Sequence, residues 1–369
     1  MIPYVDFARQ LNPLREELLA AASEVISSGQ FILWEQCEKF EADFAELCQT
    51  EAAIAVNSGT DALVLVLKAL GIGPGDEVIV PPNGFVASAA SIGLVGATPV
   101  FADVRDDYNL DPDAVSAAVG PRTRAIMVVH LTGRPAPMSP LSEIAAEHNL
   151  VVIEDAAQAI AAELDGKRVG SFGVAGCFSL HPLKNLGALG DGGVITTNDR
   201  KLEESLRLHR NHGLSSRDSC DFFAMNSRLD EVQAAMLRVK LGHLEGWTER
   251  RRQIVSTVRA GLAGVPQVRV PDERINERAV YHTLVIEAER RDELRAHLEA
   301  REIGTAIHYP VPIHLQPAAA ALGHKRGDFP VAEAQAARIV SLPVYPELED
   351  TEVEVVIEAI RTFYASEQP

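Results

Sequence analysis

One lysine lies where its ammonium group would lose contact with water. Lys184 stands between a strand-like apolar run and a glycine-rich stretch in "FSLHPLKNLGALGDGGVITTND" (178–199), where the nearest formal charge is Asp191. Desolvation lowers the pKa of an amine, and the neutral amine is the nucleophile that Schiff-base chemistry requires. The alternative is a structural lysine bound by backbone carbonyls, which is the more common case for a lysine considered alone.

Two carboxylates, Glu154 and Asp155, end a second apolar run, "LVVIEDAAQA" (150–159). Open α/β sheets bind ligands at the carboxyl ends of parallel strands, and a carboxylate buried there requires a cationic partner. The small alanines that follow favour the close approach of a flat ligand. An ion pair at the surface end of a strand is the alternative, and it is the commoner arrangement for an isolated acidic dipeptide.

A third segment, "NSGTDALVLVLKALG" (57–71), follows a buried strand and opens a helix. Ser58, Gly59 and Thr60 would leave unpaired backbone N–H groups and two hydroxyls at the positive end of the helix dipole, an arrangement that binds phosphate. Ser58 and Asp61 also fit a capping box, which needs no ligand. Alone, this segment is a weak indication.

The three segments together indicate pyridoxal 5′-phosphate. A pyridinium nitrogen pairs with an anion, a phosphate binds a helix N-terminus with hydroxyls, and an aldehyde reacts with a lysine. Few other cofactors require that set. The combination therefore predicts amino-group chemistry, in which the protonated ring withdraws electrons from a carbon that has lost its α-proton.

The elements that would position these groups are short apolar runs separated by helical patterns. Their hydrophobicity is continuous rather than alternating, which is typical of strands buried on both faces of a parallel sheet. Helical segments such as 60–71 and 139–149 lie between them, so we expect a doubly wound α/β fold. The predicted strands of this mostly parallel seven-stranded sheet are residues 52–56, 77–81, 98–103, 124–130, 150–155, 176–180 and 193–197.

The C-terminal third has a different organisation. Residues 229–264 form a long pattern that is helical through most of its length and would bridge two domains. Beyond it, a strand at 279–288, an amphipathic helix ending at Gly304 and a helical pattern at 351–365 predict a smaller α+β unit. The expected division is a large cofactor-binding domain of residues 1–245 and a small domain of residues 246–369.

Composition excludes several classes of protein. The 369-residue chain has 34 basic and 52 acidic residues, and its formal charge of −18 opposes binding to nucleic acid or to an anionic membrane. Its start does not resemble a signal peptide, and no window of 18 apolar residues occurs, so a cytoplasmic protein is expected. The 4 cysteines have neither zinc-site spacing nor the pattern of a disulfide framework, and no metal is expected.

Motifs along nearly the whole chain resemble the DegT/DnrJ/EryC1/StrS family, fold-type I pyridoxal-phosphate aminotransferases that act on nucleotide-linked keto-sugars. Besides the three segments above, the resemblance rests on "GATPVFADV", "RNHG", "NSRLDEVQAAML" and "HYPVPIHLQPA". Such a series in this order is highly specific. It implies a reaction that moves an amino group from L-glutamate to a keto-sugar nucleotide, and the last motif favours a 3-keto-6-deoxyhexose.

The resemblance also implies the cofactor contacts. Lys184 would form the Schiff base and move the proton between Cα and C4′, and Asp155 would pair with the pyridine nitrogen. Phe85 would stack on the ring, while Gln158 would contact its 3-hydroxyl. The residues implied to hold the phosphate are Gly59, Thr60, Ser179 and, from the neighbouring subunit, Asn226. A homodimer with shared active sites follows from that last assignment.

By the same resemblance, His308, Tyr309 and His314 belong to a loop that closes over the sugar nucleotide. Prolines 310 and 312 make this segment rigid and extended, which suits a substrate wall or a plain domain connection. His181 could contact cofactor or substrate, since it points to the same face of a strand as Ser179. A satisfied histidine at a strand end is at least as common.

Several positions depart from the usual family pattern without affecting Lys184 or Asp155, and they concern the substrate more than the chemistry. They are Trp34, Gly84, Ile160, Leu180 and His181.

Other functions remain open at this point. Glycine clusters at 71–75 and 187–193 lack the strand, GxGxxG and helix order of a dinucleotide site, so an oxidoreductase is disfavoured. Sugar dehydratases of the superfamily carry histidine in place of the lysine, which makes Lys184 an argument for amino transfer. An aminocyclitol aminotransferase and a noncatalytic sugar-nucleotide sensor are the remaining alternatives.

Overall fold

The protein is described by a computed structural model that covers residues 1–365. The strands, numbered in chain order, are β1 (Ala52–Val56), β2 (Glu77–Val80), β3 (Thr98–Phe101), β4 (Thr123–Val129), β5 (Val151–Asp155), β6 (Glu163–Leu164), β7 (Lys167–Arg168), β8 (Ala175–Ser179), β9 (Gly193–Thr197), β10 (Leu214–Ser216), β11 (Ser219–Cys220), β12 (Val268–Arg269), β13 (Glu277–Arg278), β14 (Leu284–Ala288) and β15 (Ile339–Leu342).

Helices precede, separate and follow these strands. They are α1 (Phe7–Leu11), α2 (Arg15–Ser28), α3 (Glu35–Cys48), α4 (Gly59–Ala69), α5 (Val86–Leu94), α6 (Pro112–Ala118), α7 (Met138–Glu147), α8 (Arg200–His209), α9 (Glu231–Leu241), α10 (Leu244–Leu262), α11 (Arg291–Glu299), α12 (Pro330–Arg338) and α13 (Asp350–Ala365). Short 3₁₀ turns occur at Leu131–Gly133, Ile313–Leu315 and Pro317–Leu322.

The main sheet has seven strands in the order β1-β9-β8-β5-β4-β2-β3. β9 is antiparallel to both of its neighbours, and the other pairs are parallel. All five residues of β1 and all five of β9 are buried, as expected of strands covered on both faces. The predicted α/β class and mostly parallel seven-stranded sheet are confirmed, and each predicted strand overlaps an observed one.

The register of the sheet brings three strand ends to one edge. Gly193 at the start of β9 pairs with Val56 at the end of β1 and with Ser179 at the end of β8. Asp155 at the end of β5 pairs with Cys177 on β8. The segments that were singled out for their chemistry therefore leave the sheet at the same edge, where ligands bind in folds of this class.

The long helical pattern at 229–264 forms two helices rather than one. α9 ends at Leu241, the chain turns at Gly242 and His243, and α10 begins at Leu244. The predicted helix ending at Gly304 also stops earlier, at Glu299, because Glu302 adopts a positive φ of 58° that a continuing helix does not allow.

A second hydrophobic core lies outside the main sheet. It joins α10, α11 and α13 to a three-stranded sheet of order β12-β14-β15, and it includes Ile2 from the start of the chain. Ile2 forms a parallel bridge with Ile303, so the N-terminal segment packs against this C-terminal unit. The division into residues 1–245 and 246–369 remains our proposal for the domain organisation.

Other features of the described residues bear on the compositional expectations. Within residues 1–365, no helix is both long enough and apolar enough to cross a membrane. The same residues contain no cluster of three or more histidine, cysteine or acidic side chains suited to a metal. All four cysteines are free thiols, with Cys220 exposed and the others buried.

Candidate active site

A cavity of about 450 Å³ opens at the edge of the sheet where β1, β5 and β8 end. Its wall includes most of the residues that the sequence singled out, although they come from segments far apart in the chain. The predicted site residues that line it are Gly59, Thr60, Phe85, Asp155, Gln158, Ser179, Lys184, His308 and Tyr309.

Lys184 lies on a tight turn after β8. Its backbone N–H donates to the carbonyl of His181 at 2.8 Å, and the adjacent Asn185 side chain donates to the carbonyl of Val280 at 2.9 Å. Protein atoms surround the Lys184 side chain, while part of its surface remains accessible from the cavity. Burial lowers the pKa of Lys184 to about 8, and the negative charge of Asp155 partly opposes that shift.

Asp155 is held by hydrogen bonds to both carboxylate oxygens. Oδ2 accepts from the Ser88 hydroxyl at 2.6 Å, and Oδ1 accepts from the backbone N–H of Ala157 at 3.2 Å. Only 6 % of the residue is exposed. A fixed, largely buried carboxylate on the wall of a cavity is suited to a protonated ring nitrogen.

The neighbouring Glu154 has a structural role. Its fully buried carboxylate accepts a hydrogen bond from the His130 imidazole at 3.0 Å and others from backbone amides within residues 170–173. Since successive side chains of a strand point to opposite faces, only one of the two carboxylates can face the cavity. In this protein that carboxylate is Asp155.

The start of α4 forms the part of the cavity that is suited to phosphate. The Ser58 hydroxyl accepts from the N–H of Asp61 at 3.0 Å, so Ser58 caps the helix. In a capping box the Asp61 carboxylate would accept from the backbone N–H of Ser58. Here it accepts from the Ser227 hydroxyl at 2.6 Å instead. The remaining amides of the first turn can bind an anion.

Gly59 is required by close packing against Ser179. A Cβ atom at position 59 would lie 2.8 Å from Cβ of Ser179, closer than such atoms approach in proteins. The absence of a side chain at Gly59 therefore lets the Ser179 hydroxyl and the first turn of α4 converge on one point.

The opposite wall carries aromatic and amide side chains. Phe85, which is 54 % exposed, lies with its ring centroid 5.7 Å from that of Tyr309. The Gln158 amide accepts from the backbone N–H of Thr132 at 2.7 Å and donates to the Tyr309 hydroxyl at 3.3 Å. Burial, with a smaller effect of the Asp155 charge, raises the pKa of Tyr309 to about 12, which keeps the phenol protonated.

His308 is held from two sides. Its Nδ1 shares a 2.8 Å hydrogen bond with the Ser341 hydroxyl, and its ring stacks on Tyr4 with 5.8 Å between centroids. Burial, followed by the nearby charge of Lys184, lowers the pKa of His308 to about 4. The imidazole is therefore neutral at physiological pH.

The structure does not bring Asn226 or His314 to the cavity. Asn226 is exposed and forms a bridge with Asn211. The His314 ring is fully buried, and its Nε2 lies 3.0 Å from Oε1 of Glu333. His314 does not line the cavity in this structure, and its role as a substrate ligand stays a prediction.

His181 has features of both interpretations made from the sequence, a residue that faces the cavity and a histidine that is hydrogen-bonded locally. It is exposed on the cavity wall, and its Nδ1 accepts from the backbone N–H of Leu183 at 3.2 Å. One ring nitrogen is thus satisfied locally, and the ring still faces the cavity.

Sequence reasoning gave no site role to three polar residues of the cavity, Ser88, Asp191 and His282. Ser88 had a usable signal, because it lies one helical turn after Phe85 and shares its face of α5. His282 had none, since nothing in "AVYHTLVIEA" distinguishes it from a histidine of the hydrophobic core.

The donor set in the cavity fits pyridoxal 5′-phosphate. Lys184 offers an amine for the aldehyde, Asp155 an anion for the ring nitrogen, and the Gly59 turn with Ser179 donors for the phosphate. The close approach at Gly59, which a Cβ would prevent, is the feature that best supports a bound phosphate.

Comparisons with known proteins agree with this site. The profile of the DegT/DnrJ/EryC1/StrS aminotransferase family matches residues 12–361. The dTDP-3-amino-3,4,6-trideoxy-alpha-D-glucose transaminase of Streptomyces venezuelae is 46% identical over 361 residues, which cover 98% of this chain and 95% of that one. The UDP-N-acetyl-3-dehydro-alpha-D-glucosamine 3-aminotransferase of Acidithiobacillus ferrooxidans is 43% identical, covering 98% and 97%.

A solved structure resembles the whole chain. The crystal structure of DesV from S. venezuelae in complex with a ketimine intermediate superposes with a TM-score of 0.97 at 45% identity. The match covers 100% of this chain and 99% of that one.

Proposed function

Since the chain belongs to the DegT/DnrJ/EryC1/StrS aminotransferase family, we propose that it transfers the amino group of L-glutamate to C3 of a nucleotide-linked 3-keto-6-deoxyhexose. The chain is a pyridoxal-phosphate-dependent aminotransferase, and its acceptors are keto-sugars carried on a nucleotide. The observation that carries the proposal is the pairing, in one cavity, of an amine of lowered pKa at Lys184 with the fixed carboxylate of Asp155.

The chemistry divides between cofactor and protein. Bound pyridoxal phosphate supplies an aldehyde that accepts the amino group and a ring that stabilises the carbanion at Cα. Lys184, with a pKa of about 8, is neutral in a substantial fraction of molecules and accepts the α-proton at Nζ. In the second half-reaction the same amine returns a proton to C3 of the sugar.

Asp155 would pair with the ring nitrogen of the bound cofactor. Its two hydrogen bonds, from Ser88 and from the backbone of Ala157, prevent the carboxylate from rotating when the charge on the ring changes. Gln158, fixed by the backbone of Thr132, would contact the 3-hydroxyl of the ring, and Phe85 would cover one ring face.

His308 and Tyr309 form the side of the cavity that we assign to the sugar. Both are neutral donors or acceptors at physiological pH, which suits hydroxyl groups better than it suits anions. The named relatives support C3 as the aminated carbon, because their products or substrates carry the amine or the ketone at that position.

We assign a homodimer as the active unit. Large apolar side chains remain exposed near the start of α3 and in the segment before Asn226: Phe31 at 54%, Trp34 at 52% and Phe223 at 101%. Such side chains are usually covered in an assembly. Asn226 is exposed and does not line the cavity of its own chain, which fits a contact with the phosphate of a second copy.

The retained lysine favours amino transfer over the earlier alternatives. The two relatives described above are named as a transaminase and an aminotransferase, and Lys184 lies in the cavity with a lowered pKa, so neither a dehydratase nor a noncatalytic sensor is proposed. An aminocyclitol ketone as the acceptor remains an outcome of the experiment below.

The test is to prepare the protein in its pyridoxamine phosphate form and to add keto compounds one at a time. We expect a 3-keto-6-deoxyhexose linked to dTDP or UDP to restore the absorbance of the pyridoxal form. A 4-keto sugar nucleotide and an aminocyclitol ketone serve as competitors. Restoration by either competitor, without any by the 3-keto sugar, would overturn the assignment of the acceptor.

A further inference from the structure

The cavity has no arginine among the described residues that line it. An amino donor brings an α-carboxylate to within one bond of the carbon that Lys184 deprotonates. That carboxylate must be placed with some precision, because the α-proton has to face the amine. Within the described part of one chain, this group is left to the other donors of the cavity wall.

His282 is a cavity residue with no role so far. Its backbone is fixed by flanking hydrogen bonds, from the N–H of Val280 to Gly133 at 2.9 Å and from the N–H of Thr283 to Thr132 at 3.4 Å. A Cβ at Gly133 would lie 2.8 Å from the backbone nitrogen of His282, so the two segments are in close contact. The imidazole therefore projects from a rigid base.

The hydrogen-bonding state of the ring follows from its surroundings. Nδ1 of His282 is buried and has no hydrogen-bond partner. Buried N–H groups without a partner are rare in proteins, whereas acceptors with an unused lone pair are tolerated more often. The proton therefore belongs on Nε2. Among the described residues, Nε2 of His282 is not one of the buried atoms without a partner, so it is the ring nitrogen available to a ligand.

The ring is also neutral. Burial, followed by the charge of Lys184, holds the pKa of His282 well below its ordinary value. Arg251, His308 and His181 act in the same direction. A neutral imidazole beside Lys184 offers a donor without adding a second cation that would further disfavour protonation of the amine.

We propose that His282 is a substrate-binding residue whose Nε2–H donates a hydrogen bond to the α-carboxylate of the amino donor. The assignment rests on the proposed function in that it requires an amino acid to react at Lys184. The α-carboxylate is favoured over an oxygen of the sugar because His308 and Tyr309 are assigned to the sugar, and no arginine among the described lining residues is available for the carboxylate.

The experiment compares binding of the two substrates to the pyridoxal-phosphate-loaded protein. The amino acid probe is 2-methyl-L-glutamate, which has an α-carboxylate but no α-proton, and its dissociation constant is read from the cofactor absorbance. The product sugar nucleotide is the second probe. The variants are His282→Ala, His282→Gln, which keeps an N–H donor, and His148→Gln as a control at an exposed histidine outside the cavity.

We expect His282→Ala to weaken binding of 2-methyl-L-glutamate about tenfold or more, as for loss of a hydrogen bond to a charged group. His282→Gln should recover part of that loss, and the sugar nucleotide should bind all variants and the control equally well. Unchanged binding of the amino acid would overturn the proposal. Equal weakening of both ligands would also overturn it, since that result indicates a structural role.

A second measurement does not depend on the folding of a variant. In the wild-type protein with ¹⁵N-labelled histidine, the Nε2 resonance of His282 should move on addition of 2-methyl-L-glutamate and stay fixed on addition of the sugar nucleotide. The reverse pattern would contradict the proposal. If the donor is an amino acid other than L-glutamate, the proposed donor is wrong. The role of His282 is then tested in the same way with the 2-methyl form of the true donor.

Discussion

The Ser88 hydroxyl donates a 2.6 Å hydrogen bond to Oδ2 of Asp155 in the cavity that Lys184 also lines. Ser88 is only 1% exposed, so the bond is protected from competing water. With the amide of Ala157 on the other oxygen, it fixes the plane of the carboxylate. A side chain on α5 thereby determines how a residue of β5 faces the cavity.

Replacing Ser88 should weaken the cofactor site without disrupting the fold. Loss of a hydrogen bond to a charged group in Ser88→Ala should raise the dissociation constant for pyridoxal phosphate by about tenfold, measured by equilibrium dialysis. Ser88→Thr keeps the hydroxyl and should bind nearly as the wild type does. Ser91→Ala is the matched control, because Ser91 on the same helix donates to a backbone carbonyl instead. Equal losses in the Ser88→Ala and Ser91→Ala variants would mean that helix stability, not the carboxylate, is responsible.

The pKa of Lys184 predicts how reconstitution depends on pH. Attack on the aldehyde needs the neutral amine, so the rate of covalent attachment to the apoprotein should rise about tenfold per pH unit at low pH. It should level off above about pH 8, whereas a lysine with the ordinary pKa of 10.5 would keep gaining rate beyond that point. The measurement is borohydride trapping at timed intervals.

The same experiment tests the cause of the shift. The charge of Asp155 raises the pKa of Lys184 and burial lowers it, with burial the larger effect. Removing that charge in Asp155→Asn should therefore move the levelling-off point to lower pH. A shift to higher pH would show that the two side chains do not interact as the structure indicates.

Adding a single methyl group at Gly59 should damage the phosphate site. In Gly59→Ala the new Cβ would lie 2.8 Å from Cβ of Ser179, so the turn and β8 must separate. We expect pyridoxal phosphate to bind at least tenfold more weakly, while pyridoxal without its phosphate loses much less. Gly93→Ala is the control, because a Cβ there has open space on α5. Tight binding of pyridoxal phosphate by Gly59→Ala would rule out this phosphate site.

The N-terminal segment should affect the sugar substrate. Tyr4 stacks on His308, and the backbone of Ile2 exchanges hydrogen bonds with Glu302 and Gly304. Tyr4→Leu removes the stacking partner, and we expect the KM for the sugar nucleotide to rise several-fold while the KM for the amino donor changes little. Tyr345→Phe is a control in the second hydrophobic core, since the Tyr345 hydroxyl has no hydrogen-bond partner. Equal changes in both KM values would indicate a general loss of structure.

The sheet and most of the cavity could be predicted from sequence because both depend on local patterns. Continuous apolar runs identify strands buried on two faces, and polar residues at their carboxyl ends meet at one edge once the sheet is parallel. Asp155 ends β5, and the start of α4 and Lys184 come within five residues of the ends of β1 and β8. Their convergence is a consequence of topology.

The remaining features depend on packing between distant segments. His282 enters the cavity because residues 280–283 hydrogen-bond to the turn at 131–133, a contact that no local pattern encodes. His314 lies outside the cavity because residues 313–315 form a 3₁₀ turn that directs its ring into a buried aromatic cluster, whereas the prolines around it indicate an extended segment. The helical pattern at 229–264 continues through Gly242, so its break was not evident either.

The most direct test of the account is to locate the covalent attachment of the cofactor. The protein is loaded with pyridoxal phosphate, reduced with borohydride, digested and sequenced by mass spectrometry. We expect the pyridoxyl group on Lys184 alone, and we expect Lys184→Ala to bind the cofactor noncovalently without turnover. Attachment at another lysine, or normal turnover by Lys184→Ala, would contradict the account.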